Sequence, residues 1–200
     1  MKVIFLDHDG VICLATEWGG RYKKRQRAEG IKSSDRAKDM PLDLRFDNFN
    51  PKAVDILNDI IKHTGAEIVV SSDWKRWANC EEMGEYYESK GICKTPIAYT
   101  PDLSECTWYS EKVFVWAPKW DLEQTRAIEI RQYLIDHPEV THWVAIDDLN
   151  MGAPYTDPDW GEMDRDWGLK NFVLTPRSRE GIKQNGIKEK ILEFLLIGEK

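Results

Sequence analysis

The sequence has few cysteines, and none lies in a pattern typical of a metal site or a disulfide framework. Its four cysteines are Cys13, Cys80, Cys93 and Cys106. They form no CxxC pair and have no histidine partners at the spacing of metal ligands. We therefore predict reduced thiols, an interpretation that argues against a zinc site and against a fold stabilised by disulfide bonds.

The sequence also lacks long apolar runs. The longest, such as AIEI and FLLI, fall far short of the roughly 20 residues that a membrane-spanning helix needs. The N-terminus leads directly into a predicted strand, without the pattern of a signal peptide. We expect a soluble, cytoplasmic protein with no membrane partner.

The sequence also lacks an excess of positive charge, with 28 lysines and arginines against 35 acidic residues. The formal net charge of −7 argues against broad, nonspecific affinity for nucleic acids, which comes mainly from many lysine and arginine contacts to phosphates. A local basic site is still compatible with this charge. The 200 residues, 42% of them hydrophobic, suffice for one domain with a substantial core. We predict a single domain over 1–200, with a polar, basic insertion at about 13–48 and a tryptophan-rich insertion at about 101–121.

Predicted strands and helices alternate along the chain. The strands are predicted in KVIFL, AEIVVSS, TPIAYT, THWVAIDD and NFVLT. Helices are predicted in NPKAVDILNDIIKHTG, WKRWANCEEMGEYYESKG, LEQTRAIEIRQYLIDHPEV and GIKEKILEFLL, the first with Asn50 as N-cap, Pro51 at its first position and Gly65 at its end. The acidic segment NMGAPYTDPDWGEMDRDWG is predicted to be a loop. This alternation indicates an α/β fold, a three-layer sandwich in which helices cover both faces of a mainly parallel sheet.

Reactive or polar side chains follow three of the predicted strands. They are Asp7 and Asp9 after the first strand, Ser71 and Ser72 after the second, and Asp147 and Asp148 at the end of THWVAIDD. The carboxyl ends of parallel strands are where open α/β sheets bind ligands. Carboxylates held together at such an edge repel one another unless a cation or a shared proton relieves them. This pattern predicts a metal site.

These motifs, in this order, resemble the haloacid dehalogenase-like (HAD) phosphatase superfamily. Its signature is a strand ending in DxDG, a second ending in Ser or Thr, a basic residue on a later helix and a strand ending in acids. FLDHDG, IVVSSD, TRAIEIRQYL and WVAIDD match these parts in turn. Together with FVLTPRSREGI, they are most similar to the small HAD phosphatase domains associated with RNA and polynucleotide end repair. The resemblance implies a Rossmann-like HAD sheet with small cap insertions.

The resemblance assigns roles to the acidic residues. Asp7 would be the nucleophile that forms an aspartyl-phosphate, and Asp9 the general acid and then the general base. Mg²⁺ suits a site of oxygen ligands, here the Asp7 carboxylate, the Asp9 backbone carbonyl and Asp147. Asp148 would be a further ligand or would hold a metal-bound water. His8 lies between two of these acids, but strand alternation directs its side chain away from them, and no catalytic role is predicted for it.

Phosphate binding is assigned to one serine and one basic side chain. Ser71 is favoured as the hydrogen-bond donor to a phosphoryl oxygen, with Ser72 as the alternative, because the exact end of a strand is hard to assign from sequence. Arg126, on the helix before the acidic strand, matches the basic residue, with Lys119 as the fallback. The superfamily usually has lysine there, but arginine also binds phosphate, through two parallel hydrogen bonds.

Substrate recognition is predicted to involve a basic stretch, RYKKRQR, and a tryptophan. The charged residues of the stretch are Arg21, Lys23, Lys24, Arg25 and Arg27. They would either bind further phosphates of a nucleotide or polynucleotide, or form a solvated flap. Trp74 is assigned to substrate binding because aromatic rings can stack on bases, although they more often fill a core.

Together these residues predict a Mg²⁺-dependent phosphomonoesterase that acts on a nucleotide or on a terminal phosphate of RNA or DNA, at either the 3′ or the 5′ end. Two alternatives stay open: a phosphatase of a small metabolite such as a sugar phosphate, and a catalytically silent module that binds phosphate or nucleic acid. The expected partner is a phosphorylated small molecule or a nucleic-acid end, with a repair kinase or ligase as a further candidate.

Overall fold

A computed structural model describes residues 1–31, 37–103, 122–152, 155–157, 161–163 and 168–197. Its strands are β1 (Lys2–Leu6), β2 (Glu67–Val70), β3 (Pro96–Tyr99), β4 (His142–Asp147), β5 (Tyr155–Asp157), β6 (Gly161–Met163) and β7 (Phe172–Leu174). Its α-helices are α1 (Gly20–Arg27), α2 (Leu42–Arg45), α3 (Pro51–Thr64), α4 (Cys80–Ser89), α5 (Leu122–Asp136) and α6 (Ile187–Leu196). Short 3₁₀ helices cover Ala37–Asp39, Asp73–Arg76 and Gly181–Lys183.

The central sheet has five parallel strands in the order β3-β2-β1-β4-β7. Since β1 lies between β2 and β4, the residues that follow these three strands emerge side by side at one edge of the sheet. β5 and β6 form a separate antiparallel pair. The strand order therefore brings together three parts of the chain that are far apart in sequence.

Alternation of side chains along β1 divides the core between the two faces of the sheet. Val3 and Phe5 belong to a buried cluster with residues of α5, including Ala127. Ile4 and Leu6 point to the other face, where they join a larger buried cluster with residues of α3, α4 and α6. The sheet thus lies between two helical layers. The predicted three-layer α/β sandwich with a mainly parallel sheet is confirmed.

Helix α3 has the boundaries that the sequence predicts. The Asn50 side chain accepts a hydrogen bond from the backbone N–H of Ala53, and Pro51 occupies the first helical position. Gly65 ends the helix with a φ of 68°, a left-handed conformation that glycine adopts without steric conflict.

The next predicted helix is wrong in its extent. The sequence predicts one helix over WKRWANCEEMGEYYESKG, but the structure has a 3₁₀ helix over Asp73–Arg76 and then α4 from Cys80. The reason is a capping box. The Asn79 side chain accepts from the N–H of Glu82, and the Glu82 side chain accepts from the N–H of Asn79. These two hydrogen bonds satisfy N–H groups that a continuous helix would have bonded internally.

The predicted loop after β4 is also corrected. It contains β5 and β6, paired so that Tyr155 lies opposite Met163 and Asp157 opposite Gly161. Strands of three residues are too short to show the alternation by which a strand is recognised in a sequence.

The two predicted insertions differ in what the structure describes. The basic insertion contains α1, α2 and the 3₁₀ helix over Ala37–Asp39. Most of the tryptophan-rich insertion lies outside the described residues, and so does Lys119, the fallback for the basic residue of the site. None of the helices in the described part of the chain combines the length and apolar character needed to cross a membrane.

Candidate active site

One row of polar residues follows the central strands. Leu6 of β1 lies opposite Val70 of β2 and Ile146 of β4. The ladder continues one residue further, because the N–H of Asp7 donates to the Ile146 carbonyl (3.1 Å) and the N–H of Ser71 donates to the Leu6 carbonyl (3.0 Å). Ser71, Asp7 and Asp147 are therefore neighbours at this edge of the sheet, and alternation places their side chains on the face that α5 covers.

Arg126 reaches this row from α5. Its Nη1 donates to Oδ1 of Asp7 (2.8 Å) and to Oδ2 of Asp147 (2.9 Å). Its side chain is buried, and so are both carboxylates. A third acid, Asp73, lies 3.7 Å from Nη2. The basic residue predicted from TRAIEIRQYL thus lies against the predicted nucleophile, with a guanidinium in the place where the superfamily usually has an ammonium group.

Asp7, Asp147 and Asp148 form a compact group of carboxylates. One oxygen from each lies within 4.8 Å of the others. Burial, followed by the neighbouring Asp147, raises the pKa of Asp7 well above its ordinary value, while Arg126 acts in the opposite direction. Burial also raises the pKa of Asp147, and burial together with Asp147 raises the pKa of Asp148 to about 6. These carboxyl groups would ionise more readily beside a cation.

The charges of this group fit a divalent cation. When the three carboxylates are ionised, the Arg126 guanidinium neutralises one negative charge and leaves two. The donors are oxygens, which Mg²⁺ prefers. The side chain of Asp9 is not part of the group. That the Asp9 backbone carbonyl would bind the metal stays a prediction.

Gly10 allows Asp148 to approach the end of β1. Its φ is 70°, and a Cβ atom on it would lie 2.2 Å from Oδ2 of Asp148. The Gly10 carbonyl also accepts a hydrogen bond from the Thr175 hydroxyl (3.2 Å). The glycine of the DxDG motif is thus required both by its backbone conformation and by the acid packed against it.

The two serines after β2 have different surroundings. Both are buried, but the Ser71 hydroxyl has no hydrogen-bond partner among the residues that the structure describes. The Ser72 hydroxyl accepts from the N–H of Trp74 (3.5 Å) at the start of the 3₁₀ helix. An unpaired buried hydroxyl beside Asp7 is available to an additional ligand.

Asp9 is held by Trp74 and not by the other acids. The indole Nε1 of Trp74 donates to Oδ2 of Asp9 (2.8 Å). Burial raises the pKa of Asp9, and this hydrogen bond acts in the opposite direction. The structure does not favour the predicted stacking of Trp74 on a substrate base, because its side chain is only 3% exposed and its ring is already stacked with those of Phe46 and Phe49.

His8 lies on the opposite face of the sheet from Asp7. It is fully buried, its Nε2 is 2.7 Å from the Tyr87 hydroxyl, and its ring is 4.6 Å from that of Trp74. Burial lowers its pKa to about 3, so the ring is neutral at pH 7. The side chain points away from the neighbouring acids, as strand alternation predicts.

A family comparison agrees with this arrangement. A model of the HAD domain in Swiss Army Knife RNA repair proteins matches residues 3–185. The chain belongs to this HAD family. The match extends from β1 to just before α6 and contains all the site residues described above, so the resemblance inferred from FLDHDG, IVVSSD and WVAIDD is confirmed. No curated protein and no solved structure matches the chain.

The basic helix α1 of this HAD domain begins beside Asp47. The buried Asp47 carboxylate accepts from the N–H groups of Gly19 (3.0 Å) and Arg21 (2.6 Å). The Arg21 charge lowers the pKa of Asp9, as one of the weaker influences on that carboxyl. The start of α1 is therefore electrostatically coupled to the end of β1.

The five basic residues of α1 have three kinds of surroundings. Lys24 donates to the Asp43 carbonyl (2.5 Å) and Arg25 to the Leu44 carbonyl (2.7 Å), so these two attach α1 to α2. Lys23 and Arg27 are exposed and make no ion pair with any described residue. Arg21 lies 5.1 Å from the ring centre of Tyr22, which is 54% exposed. The predicted basic surface is therefore smaller than the sequence suggests.

Sequence reasoning missed a buried ion pair beside the HAD site. Lys75 donates to Oε2 of Glu129 (2.6 Å), and both side chains are 6% exposed. Lys75 also donates to the Pro101 carbonyl (3.0 Å), so the pair joins α5 to the segment after β3. Glu129 follows Arg126 by three residues on α5, a spacing that places both on one side of the helix. That spacing was the available signal.

Proposed function

We propose that this HAD domain is a Mg²⁺-dependent phosphomonoesterase that removes a terminal phosphate from RNA or a related polynucleotide or nucleotide. The main support for the proposal is the contact of the Arg126 guanidinium with Asp7 and Asp147, beside the unpaired Ser71 hydroxyl. A cationic donor and a free hydroxyl then lie next to a carboxylate nucleophile, which is what phosphoryl transfer through an aspartyl-phosphate needs.

The same carboxylates fit the metal that HAD domains generally use. When bound, Mg²⁺ would be held by Asp7, Asp147 and Asp148 with the Asp9 carbonyl, and would offset the repulsion between a carboxylate nucleophile and a phosphate dianion. The two negative charges that Arg126 leaves unneutralised support this assignment.

The proposed reaction has two steps. In the first, an Asp7 oxygen forms a bond to phosphorus, the bond from phosphorus to the ester oxygen breaks, and that oxygen keeps the electron pair and takes a proton from Asp9. In the second, water attacks phosphorus and gives a proton to Asp9, while the bond to Asp7 breaks and inorganic phosphate leaves. Arg126 and the Ser71 hydroxyl stabilise the phosphoryl oxygens in both steps.

The substrate is proposed from the family and from α1. The family is described from RNA repair proteins, and the exposed Lys23 and Arg27 offer cations to a polynucleotide backbone. Removal of an end phosphate leaves a hydroxyl group, so a repair kinase or ligase is the partner that we propose for the same repair.

A phosphate-release panel tests the proposal. It compares 4-nitrophenyl phosphate, mononucleotides, sugar phosphates, and RNA and DNA oligonucleotides with a 3′ or a 5′ phosphate, each with Mg²⁺ and with EDTA. We expect Mg²⁺-dependent release with the highest kcat/KM on an oligonucleotide end. The double variant of Lys23→Ala and Arg27→Ala should reduce kcat/KM several-fold more on that oligonucleotide than on 4-nitrophenyl phosphate.

The nucleophile is tested by Asp7→Asn. This variant should reduce phosphate release roughly 10³-fold or more on every substrate, because the amide cannot form the covalent intermediate. The matched control is Asp55→Asn at an exposed aspartate of α3, which should keep full activity. Full activity of Asp7→Asn would overturn the mechanism, and a wild-type protein inactive on the whole panel would favour the silent binding module.

A further inference from the structure

The Trp74 side chain is held in place by three neighbouring aromatic rings. Its ring is stacked with that of Phe46 (centroids 4.6 Å apart, 11° between planes) and with that of Phe49 (5.4 Å, 13°). The ring of His8 lies 4.6 Å away, and the Trp74 side chain is 3% exposed. Close contact with three rings leaves the indole little freedom to rotate.

The polar edge of this fixed ring is directed at one atom. Its Nε1–H donates to Oδ2 of Asp9 at 2.8 Å, a short distance for an N–H donor and a carboxylate. Asp9 lies in the turn after β1, where its backbone forms an isolated β-bridge with Cys13 and the Cys13 thiol is a second hydrogen-bond partner of its carboxylate. Both donors to Asp9 are neutral, so they orient the carboxyl group without placing a positive charge beside it, whereas Asp7 is held by the cationic Arg126.

We infer that Trp74 is a positioning residue, whose indole N–H holds the Asp9 carboxyl group in the orientation from which it exchanges protons with the leaving oxygen and with water. The inference rests on the proposed function, because it assigns Trp74 to the proton-transfer part of that reaction. Trp74 itself gives up no proton and forms no bond to substrate. A donor fixed before the reaction requires no reorganisation when charge develops.

A positioning role for Trp74 predicts unequal losses of activity on two kinds of phosphate ester, which a purely structural role does not predict. As the bond from phosphorus to the ester oxygen breaks, a 4-nitrophenolate leaves readily without a proton, whereas an alkoxide needs the proton of Asp9. Misorienting Asp9 should therefore slow an alkyl ester more than a nitrophenyl ester. General acid–base catalysis contributes about 10²- to 10⁴-fold to rate, so the difference is measurable.

The test is the variant Trp74→Phe, which keeps an aromatic ring and removes the N–H. The matched control is Tyr87→Phe, which removes a different buried polar group from the same aromatic cluster, the hydroxyl 2.7 Å from His8 Nε2. The measured quantity is kcat/KM with Mg²⁺ on 4-nitrophenyl phosphate and on glycerol phosphate. This parameter reports the steps up to formation of the phosphoenzyme, where the leaving group departs.

We expect Trp74→Phe to raise the ratio of kcat/KM for the nitrophenyl ester over the glycerol ester at least roughly tenfold. Tyr87→Phe should leave that ratio unchanged. Equal losses on both esters in Trp74→Phe, or no loss on either, would overturn the inference while the proposed function stands. A wild-type protein inactive on both esters would instead overturn the proposed function, and this inference with it.

A second measurement is independent of activity and of how well Trp74→Phe folds. The indole N–H resonance of Trp74 is followed by NMR in the wild type, in Asp9→Ala and in Tyr87→Phe. We expect Asp9→Ala to shift this resonance and to accelerate its exchange with solvent, and Tyr87→Phe to leave both nearly unchanged. An unaltered resonance in Asp9→Ala would overturn the hydrogen bond on which the inference depends.

Discussion

Asp7 and His8 are adjacent in the chain, yet they lie in opposite environments. Asp7 faces α5, among two further acids and one guanidinium, in a group with unneutralised negative charge. His8 faces the other side of the sheet, where its neighbours are Phe49, Trp74 and Tyr87, and its ring is neutral at pH 7. The first region has unneutralised negative charge and the unpaired Ser71 hydroxyl. The second is filled by rings, and among the described residues its unpaired polar atom is Nδ1 of the neutral His8.

The comparison shows how one strand end serves two purposes. Alternation of side chains sends every second residue to the charged face, where ligands can be bound, and the residues between them to the aromatic face. Trp74 connects the two regions, because its ring belongs to the aromatic face while its N–H reaches Asp9. Changes on the charged face should therefore affect activity, and changes on the aromatic face chiefly stability.

The largest effect on the charged face should come from Arg126→Ala. Loss of the guanidinium should lower kcat by roughly 10²- to 10³-fold, the range found when a donor to developing charge is removed. Arg126→Lys should keep most of the activity, because an ammonium group supplies the same charge. The measurement is phosphate release at saturating Mg²⁺. Arg131→Ala is the control on the same helix, because Arg131 donates to the Gly168 carbonyl (2.9 Å) and should leave kcat unchanged.

An Arg126→Ala variant as active as the wild type would remove the guanidinium from the proposed mechanism. An Arg126→Lys variant as inactive as Arg126→Ala would show that the two-nitrogen geometry of the guanidinium contributes more to activity than its positive charge.

Much of the charged face could be predicted from sequence. The apolar runs before Asp7, Ser71 and Asp147 identify buried strands, and parallel strands bring their ends together whatever the length of chain between them. Arg126 could be placed through the helix that precedes THWVAIDD. These are local patterns, and the sheet turns them into contacts between residues that are far apart in the chain.

The aromatic face could not be predicted in the same way. A tryptophan after a strand fits either a substrate-stacking ring or a core residue, and only its burial and its stacking with Phe46 and Phe49 distinguish the two. The pair of Lys75 and Glu129 depends on the approach of two elements separated by 54 positions. The spacing of Arg126 and Glu129 places both on one side of α5, but it does not identify Lys75 as the partner of Glu129. Both contacts depend on how the elements pack after the strands are in place.

A smaller effect, on stability, should come from Tyr87→Phe on the aromatic face. Removal of the hydroxyl leaves Nε2 of the buried His8 without its partner, and an unsatisfied buried polar group costs about 1–3 kcal/mol. Urea unfolding should show this loss, while kcat changes less than twofold. Tyr22→Phe, at an exposed tyrosine, is the control and should alter neither quantity. A large loss of kcat in Tyr87→Phe at unchanged stability would contradict the division between the two faces.

The smallest effect should separate the two consecutive serines. Ser71 lies two residues after Val69, which packs on the α5 face, and Ser72 lies two residues after Val70, which packs on the other face. Ser71→Ala should therefore reduce kcat/KM roughly tenfold, the equivalent of one hydrogen bond to a charged group. Ser72→Ala removes only the weak cap on the 3₁₀ helix and should lower stability slightly at unchanged kcat/KM. Because both serines are buried and adjacent, each variant is the control for the other, and a reversed result would place the phosphoryl group on the aromatic side of the sheet.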